Sequence, residues 1–178
     1  SATPSDGAGS TPIIPGLGLI CSGRGSQTWL DEGHPSVLEG GKRPRLTPSP
    51  AMAFKGGKLF MPIGTPGGDM QPQSMLQTFL NVVVFGMHIQ QAIEAPRFGT
   101  FSHPDSFWPH TYRPGLLSLE SRIPRSVGDD LAARGHLIEW WPEWTRVAGN
   151  VCAIIADHEQ GTLTAGADAR AEAYAAGW

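Results

Sequence analysis

The stretch IGTPGGDMQPQ, residues 63–73, sets two adjacent glycines and an aspartate between an apolar extended segment and a helix-like run. A plain turn needs one glycine. Two let bare backbone approach another group closely. The first amides of a helix lack partners within it, and its N-terminus carries partial positive charge. Thr65-Pro66-Gly67-Gly68-Asp69 is therefore suited to hold an anion, either a bound one or the oxyanion of acyl transfer. Taken alone, the pattern is met more readily by a turn with Asp69 as the helix cap.

Other chemistries find less support. Cys21 and Cys152 stand far apart in no metal-ligand spacing, and the six histidines include no HExxH pair, so no catalytic metal is expected. No cofactor motif appears either. Both cysteines have apolar neighbours and read as two buried free thiols, with a single disulfide as the alternative.

The elements around the turn follow from periodicity. Residues 49–64 read as two strands joined by a Gly-Gly hairpin. From Gln73 to Met87, Leu76, Phe79, Leu80, Val83 and Met87 keep a helical period, widened by Met75, Val82 and Val84. That helix is apolar nearly all round, and burial is expected. A short helix over 88–95 stops at Pro96, and another spans 124–135. Residues 137–141 are strand-like, and 150–157 with 161–168 form a hairpin. Residues 1–50 read as loops with one extended piece at 12–20, and 97–123 as irregular and aromatic. One α+β domain over 1–178 results, with helices on antiparallel strands.

Composition narrows the classes further. The 178 residues suffice for one domain with a core, and 40% of them are apolar. A net charge of −3, with GKRPR as the densest basic spot, gives no field for nucleic acid or an anionic membrane. No stretch is long and apolar enough to span a bilayer. The opening SATPSDGAGS lacks the charged start and apolar core of a signal peptide, which leaves the compartment open.

Several segments occur together and in order: GLGLI, GGKRPRLTPSPAM, GTPGGDMQPQSMLQTFLNVVVFGMHIQQAIEAPRF, ARGH and AGADAR. This succession resembles the small C-terminal subunit of the γ-glutamyltransferase family of N-terminal-nucleophile hydrolases, over nearly the whole chain. The resemblance implies a four-layer αββα sandwich shared with a large N-terminal subunit cut from the same precursor. It implies a small-molecule amide substrate and an N-terminal threonine whose hydroxyl attacks the amide while its own α-amine acts as base. It assigns Gly67 and Gly68 to the oxyanion hole. It aligns Thr3 with a second threonine that supports the nucleophile, although an ordinary loop threonine fits there equally. The threonine-led first hairpin of the family does not stand here, so the nucleophile is expected upstream of Ser1. Ser1 itself is the formal alternative.

The substrate contacts depart from the family pattern. Where γ-glutamyl enzymes place acidic and amide groups for the substrate's α-amine, residues 21–29 read CSGRGSQTW, with Arg24 and Gln27 in their stead. The paired serines that hold the substrate carboxylate fall at Leu46 and Thr47, and leucine donates no hydrogen bond. A site built on polar contacts discriminates steeply, so altered acyl specificity is expected. The alternatives are a true γ-glutamyltransferase acting on glutathione or γ-glutamyl amides, or a non-catalytic remnant of the family. Arg24 suits a carboxylate on another acyl group or is a solvated loop residue. Asp69 either caps the helix, orients the loop or touches substrate. Phe107, Trp108 and Tyr112 line an acyl pocket or serve packing or an interface, and Trp140, Trp141 and Trp144 are read the same way.

Overall fold

The computed structural model describes residues 12–177. Two short strands, β1 (Ile13–Ile14) and β2 (Leu19–Ile20), pair as a small hairpin. The main sheet has the order β3-β4-β8-β9 and is antiparallel throughout: β3 (Ala51–Lys55), β4 (Lys58–Gly64), β8 (Cys152–Asp157) and β9 (Thr162–Ala167). Lys55 pairs with Lys58 across Gly56-Gly57, both at positive φ. This is the tight Gly-Gly turn that the sequence pattern implies.

Two helices cover this sheet, α1 (Met70–Val83) and α2 (Ile89–Glu94). Met61, Ile63 and Ala153 from the strands, with Val151 just ahead of β8, meet Met75, Ile89 and Ile93 from the helices in one apolar cluster. Alternation along β4 sends Met61 and Ile63 to the helix side. Gly166 lets α2 approach β9, because a Cβ there would lie 2.7 Å from Ile93 Cδ1. Pro96 ends α2, as read from the sequence.

The aromatic segment read as irregular holds two strands. β5 (Phe98–Thr100) and β6 (Leu116–Glu120) form a second sheet with β7 (Leu137–Trp141), and β6 runs parallel to β7. The crossover between them carries α3 (Arg125–Ala133). The expectation of antiparallel strands alone thus fails at this sheet. β6 escaped the pattern because its buried side chains are Leu117, Ser118, Leu119 and Glu120, two of them polar, which breaks the apolar run.

Two further expectations are corrected. α1 is not buried all round. Its inward face holds Met70, Gln71, Ser74, Met75 and Thr78, whereas Leu76, Leu80 and Val83, followed by Val84, Phe85 and Met87, are exposed. Met75, Phe79 and Val82 pack on the core, while the short polar side chains of Ser74 and Thr78 let the helix sit close to its neighbours and the other apolar residues face away. Ser74 and Thr78 satisfy their hydroxyls on α1 carbonyls four residues back, at 2.9 and 3.0 Å. The two cysteines are free, as read, but exposed rather than buried. Cys152 begins β8 on the side away from Val151 and Ala153, which fill the core.

Candidate active site

The turn at residues 65–69 leaves β4 and enters α1. Gly67 has φ 127° and Gly68 has φ 54°, values that L side chains rarely adopt. Their carbonyls accept from the amides of Met70 (3.0 Å) and Gln71 (3.2 Å) and so start the helix. Among the described residues, nothing accepts from the amides of Gly67 and Gly68. These two donors are what an anion would use.

A strap at residues 148–150, which leads into β8 where Cys152 pairs with Gly64, supports the turn. The Thr65 hydroxyl accepts from the Asn150 amide at 2.7 Å and donates to Pro66 O at 2.7 Å. Ser74 Oγ also lies 2.8 Å from Ala148 O, so its one hydroxyl proton serves that carbonyl and Met70 O between them. Gly149, at φ 88°, passes so close that a Cβ would lie 2.9 Å from Ser74 Oγ and 3.0 Å from Thr65 Oγ1. Behind the strap lies a buried ionic cluster. Asp168 pairs with Arg97 (2.7 Å) and Arg170 (3.0 Å), and Glu120 pairs with Arg170 at 2.6 Å. Asp168 also accepts the Val151 amide, and Arg97 donates to Ala148 O. Burial pushes the Arg97 guanidinium below its ordinary pKa, and the neighbouring Arg170 adds to this against the pull of Asp168. For Arg170 burial works in the same sense, but hydrogen bonds and charge from Glu120 and Asp168 outweigh it, and its pKa is raised.

Asp69 does not cap α1: its side chain makes no cap hydrogen bond. Its carboxylate instead accepts from the Ser106 amide at 2.7 Å and from the Ser106 hydroxyl, with Arg45 at 3.8 Å. Asp69 therefore ties the aromatic loop to the turn. Two donors from one residue at fixed spacing suit a carboxylate better than a helix amide does. Phe107, next in the chain, stands where a Cβ on Gly68 would be 3.6 Å from its ring.

Arg24 closes the arrangement from the other side. It lies 5.6 Å from the Phe107 ring centre and donates to Thr47 Oγ1 at 2.8 Å and to Gln27 Oε1 at 3.4 Å. It is half-buried, not a freely solvated loop residue. Ser22 turns back on the Arg24 amide and starts the short 3-10 turn Gly23–Gln27, which aims the guanidinium inward. Gln27 is fully buried, and its Nε2 has no partner among the described residues. Thr47 is buried, whereas Leu46 is exposed. The structure thus gathers Gly67, Gly68, Asp69, Arg24, Gln27 and Thr47 around one rim, with Leu46 facing out. Thr3 lies outside the described residues.

The aromatic residues divide. Phe107 belongs to the rim, but Trp108 and Tyr112 are exposed. Trp141 packs in a small core with Met70 and Ala148, Arg125 covers Trp140 and Arg122 covers Trp144. Sequence reasoning missed Ser106, Phe107's place beside Gly68, and Gly149. The Asp-Ser pair before Phe107 signals a local turn, but nothing in the sequence says that Asp69 is its partner.

Comparison with known proteins fixes the family. The sequence model of the gamma-glutamyltranspeptidase family matches residues 1–178. The chain belongs to the γ-glutamyltranspeptidase family. It is 36% identical over 171 residues to the glutathione hydrolase-like YwrD proenzyme of Bacillus subtilis, covering 95% of this chain and 31% of that protein. It is 35% identical over 164 residues to the acylase ACY 1 proenzyme of Pseudomonas sp. strain SE83, covering 92% and 26%. The solved cephalosporin acylase from Bacillus halodurans superposes with a TM-score of 0.81 at 30% identity, over 92% of this chain and 28% of that one. The chain therefore spans less than a third of the curated relatives it matches. Its mixed helix and sheet architecture is that of the N-terminal-nucleophile hydrolases in this family.

Proposed function

We propose that this chain is the small-subunit portion of an amide hydrolase or acyltransferase with altered acyl specificity. In this reading an N-terminal threonine, supplied upstream of Ser1, attacks the carbonyl carbon of a small amide, and its α-amine takes the hydroxyl proton. The oxygen that gains negative charge sits against the amides of Gly67 and Gly68. The amine leaves with a proton, and water or a second amine takes the acyl group. The single observation behind this reading is the pair of unclaimed amides in left-handed glycines at the head of α1.

Arg24, with Thr47 and Gln27, is the group that receives a carboxylate on the acyl chain. A leucine at the first of the two positions where the family carries serines removes one donor for the γ-glutamyl carboxylate, which favours another acidic acyl group. The names of the relatives, one glutathione hydrolase-like and one an acylase, span that same range. The exposed apolar stripe of α1 and of residues 84–87 is where a large partner subunit from the same precursor would pack.

Denaturing intact-mass analysis of the purified full-length protein, joined to a panel of acyl anilides, tests this. Two chains are expected, the smaller beginning at threonine, with turnover of acidic acyl anilides above that of the γ-glutamyl anilide. A single uncleaved chain that turns over none of them overturns the proposal. Preference for the γ-glutamyl anilide returns the protein to a true γ-glutamyltransferase.

A further inference from the structure

A cleft of about 360 Å³ opens beside the rim, between the Gly23–Gln27 turn and residues 35–45. Its charged lining is one-sided. Lys42, Arg43 and Arg45 face it with only Glu39 against them. Glu39 engages Lys42 loosely, at 3.8 Å, and Arg45 shares Asp69 at 3.8 Å. Among the described residues Arg43 has no carboxylate partner. The rest of the wall is largely apolar, with Pro35, Val37, Leu38 and Pro44. The whole chain carries a net charge of −3, so this positive spot is a local departure and not part of a general field.

The cleft also connects with the rim. Gly25 and Thr28 line it and flank the turn that carries Arg24 and Gln27. Arg45 lines it and reaches Asp69, the residue after Gly68. A molecule whose amide carbonyl sits at the glycine pair would meet this cleft as it extends past Arg45. Apolar walls with cations along one side fit an apolar body tipped with a carboxylate.

We propose that the cleft is a subsite for an anionic group of the amide substrate, a carboxylate carried away from the scissile bond on an apolar body and received by Lys42 and Arg43. This rests on the reading that the chain is part of an amide hydrolase. The carboxylate sits either on the acyl part or on the amine that leaves.

Two substrate pairs separate these sources in the intact protein. One compares an anilide with its ring-carboxylated analogue. The other compares a neutral acyl anilide with one bearing a distal carboxylate. In the K42Q/R43Q double variant, the kcat/KM ratio of carboxylated to neutral substrate is expected to fall roughly fivefold in one of the pairs, the scale of two exposed charge contacts. The pair that responds identifies the side. The wild-type preference should also shrink with added salt, because exposed charges are screened. An unchanged ratio in both pairs overturns the subsite. If no amide is turned over, the functional reading fails, and calorimetric titration with isophthalate decides on the cleft alone. Binding by wild type that weakens in the double variant supports it; equal binding, or none in either protein, overturns it.

Discussion

Two groups of charges lie on opposite sides of the strap at residues 148–150, and they are built differently. In the cluster of Arg97, Glu120, Asp168 and Arg170 no residue is more than 5% exposed. These two buried cations meet two anions, with the partly exposed Arg122 also on Glu120 at 2.8 Å, and both buried arginines donate to backbone carbonyls such as Ile93 O. Of this cluster's side-chain polar atoms, Arg97 Nε goes without a partner among the described residues. On the rim, Arg24, Arg45 and Asp69 are partly open to water, and the nearby amides of Gly67 and Gly68 remain unclaimed. A buried charge must be paired, because desolvation is expensive and an orphaned partner is more so. A site must keep donors in reserve, because a donor already satisfied has nothing to offer an oxyanion. The strap joins the two regions, so the satisfied one holds the unsatisfied one still.

Breaking the cluster should have the largest effect. Asp168 serves Arg97, Arg170 and the Val151 amide together. Asp168→Ala leaves two buried guanidinium groups short of a carboxylate, and a loss of roughly 3–5 kcal/mol is expected. Arg45→Ala removes only the exposed pair with Asp69 and should cost less than about 1 kcal/mol. Urea unfolding of the intact protein compares them. Similar small losses for both would mean that the cluster relaxes and takes in water, and that it holds the strap no more firmly than the exposed pair does.

The rim should answer in turnover and not in stability. Gly68→Val puts a β-branched residue at φ 54°, where space beside Phe107 remains but the backbone conformation is unfavourable. The turn is expected to relax and carry the amide away from the oxyanion. Turnover should fall by roughly 10²–10³, the scale of losing one oxyanion donor. Circular dichroism and the unfolding midpoint report whether the fold persists. A folded variant with full turnover removes Gly68 from the site.

The same division explains what could be read from the sequence. The motifs that carried the family resemblance, QAIEAPRF and GADAR, turn out to be the buried framework. The first brings Arg97, the second Gly166, Asp168 and Arg170, and they meet at ion pairs that no local pattern could announce. The turn at residues 65–69 was legible because glycine pairs constrain backbone directly. Of the roles open to Asp69, cap, loop orientation or substrate contact, the sequence could not single out loop orientation, since the Ser106 that claims its carboxylate lies 37 positions away. α1 was located, but only part of its apolar surface is covered: periodicity finds apolar positions without saying which of them a neighbour covers. β5 and β6 were lost because a second sheet buries Ser118 and Glu120 for reasons of long-range pairing.

Arg24 is a rim cation that is partly satisfied. It already holds Thr47 and Gln27, so Arg24→Ala disturbs the rim as well as removing a charge. The expected result is a loss of roughly tenfold in kcat/KM for acidic acyl substrates, and less for neutral ones, the scale of one charge-assisted hydrogen bond. Arg24→Lys keeps the charge without the planar fork and should recover part of that preference. Equal losses on acidic and neutral substrates would make Arg24 a positioning residue for Thr47 alone.

The smallest effect belongs to a carboxylate that is neither buried nor part of the rim. Asp157, at the end of β8, accepts from the amides of Glu159 (2.9 Å) and Gln160 (3.0 Å). The Gln160 and then the Glu159 amide favour the ionised form, and the carboxyl is held below its ordinary value of 3.8. A lowered folded pKa gives stability that is fully present above the unfolded value and is lost as pH falls through the folded one. Asp157→Asn keeps an acceptor oxygen but cannot titrate. Its deficit in thermal midpoint against wild type should therefore be constant near neutrality and disappear only below about pH 4, the ordinary aspartate range. A deficit that persists unchanged to pH 2 would assign the role of Asp157 to the shape of the hairpin turn. Charge would then matter in this protein where it is buried or kept open for a ligand, and not at a solvated turn.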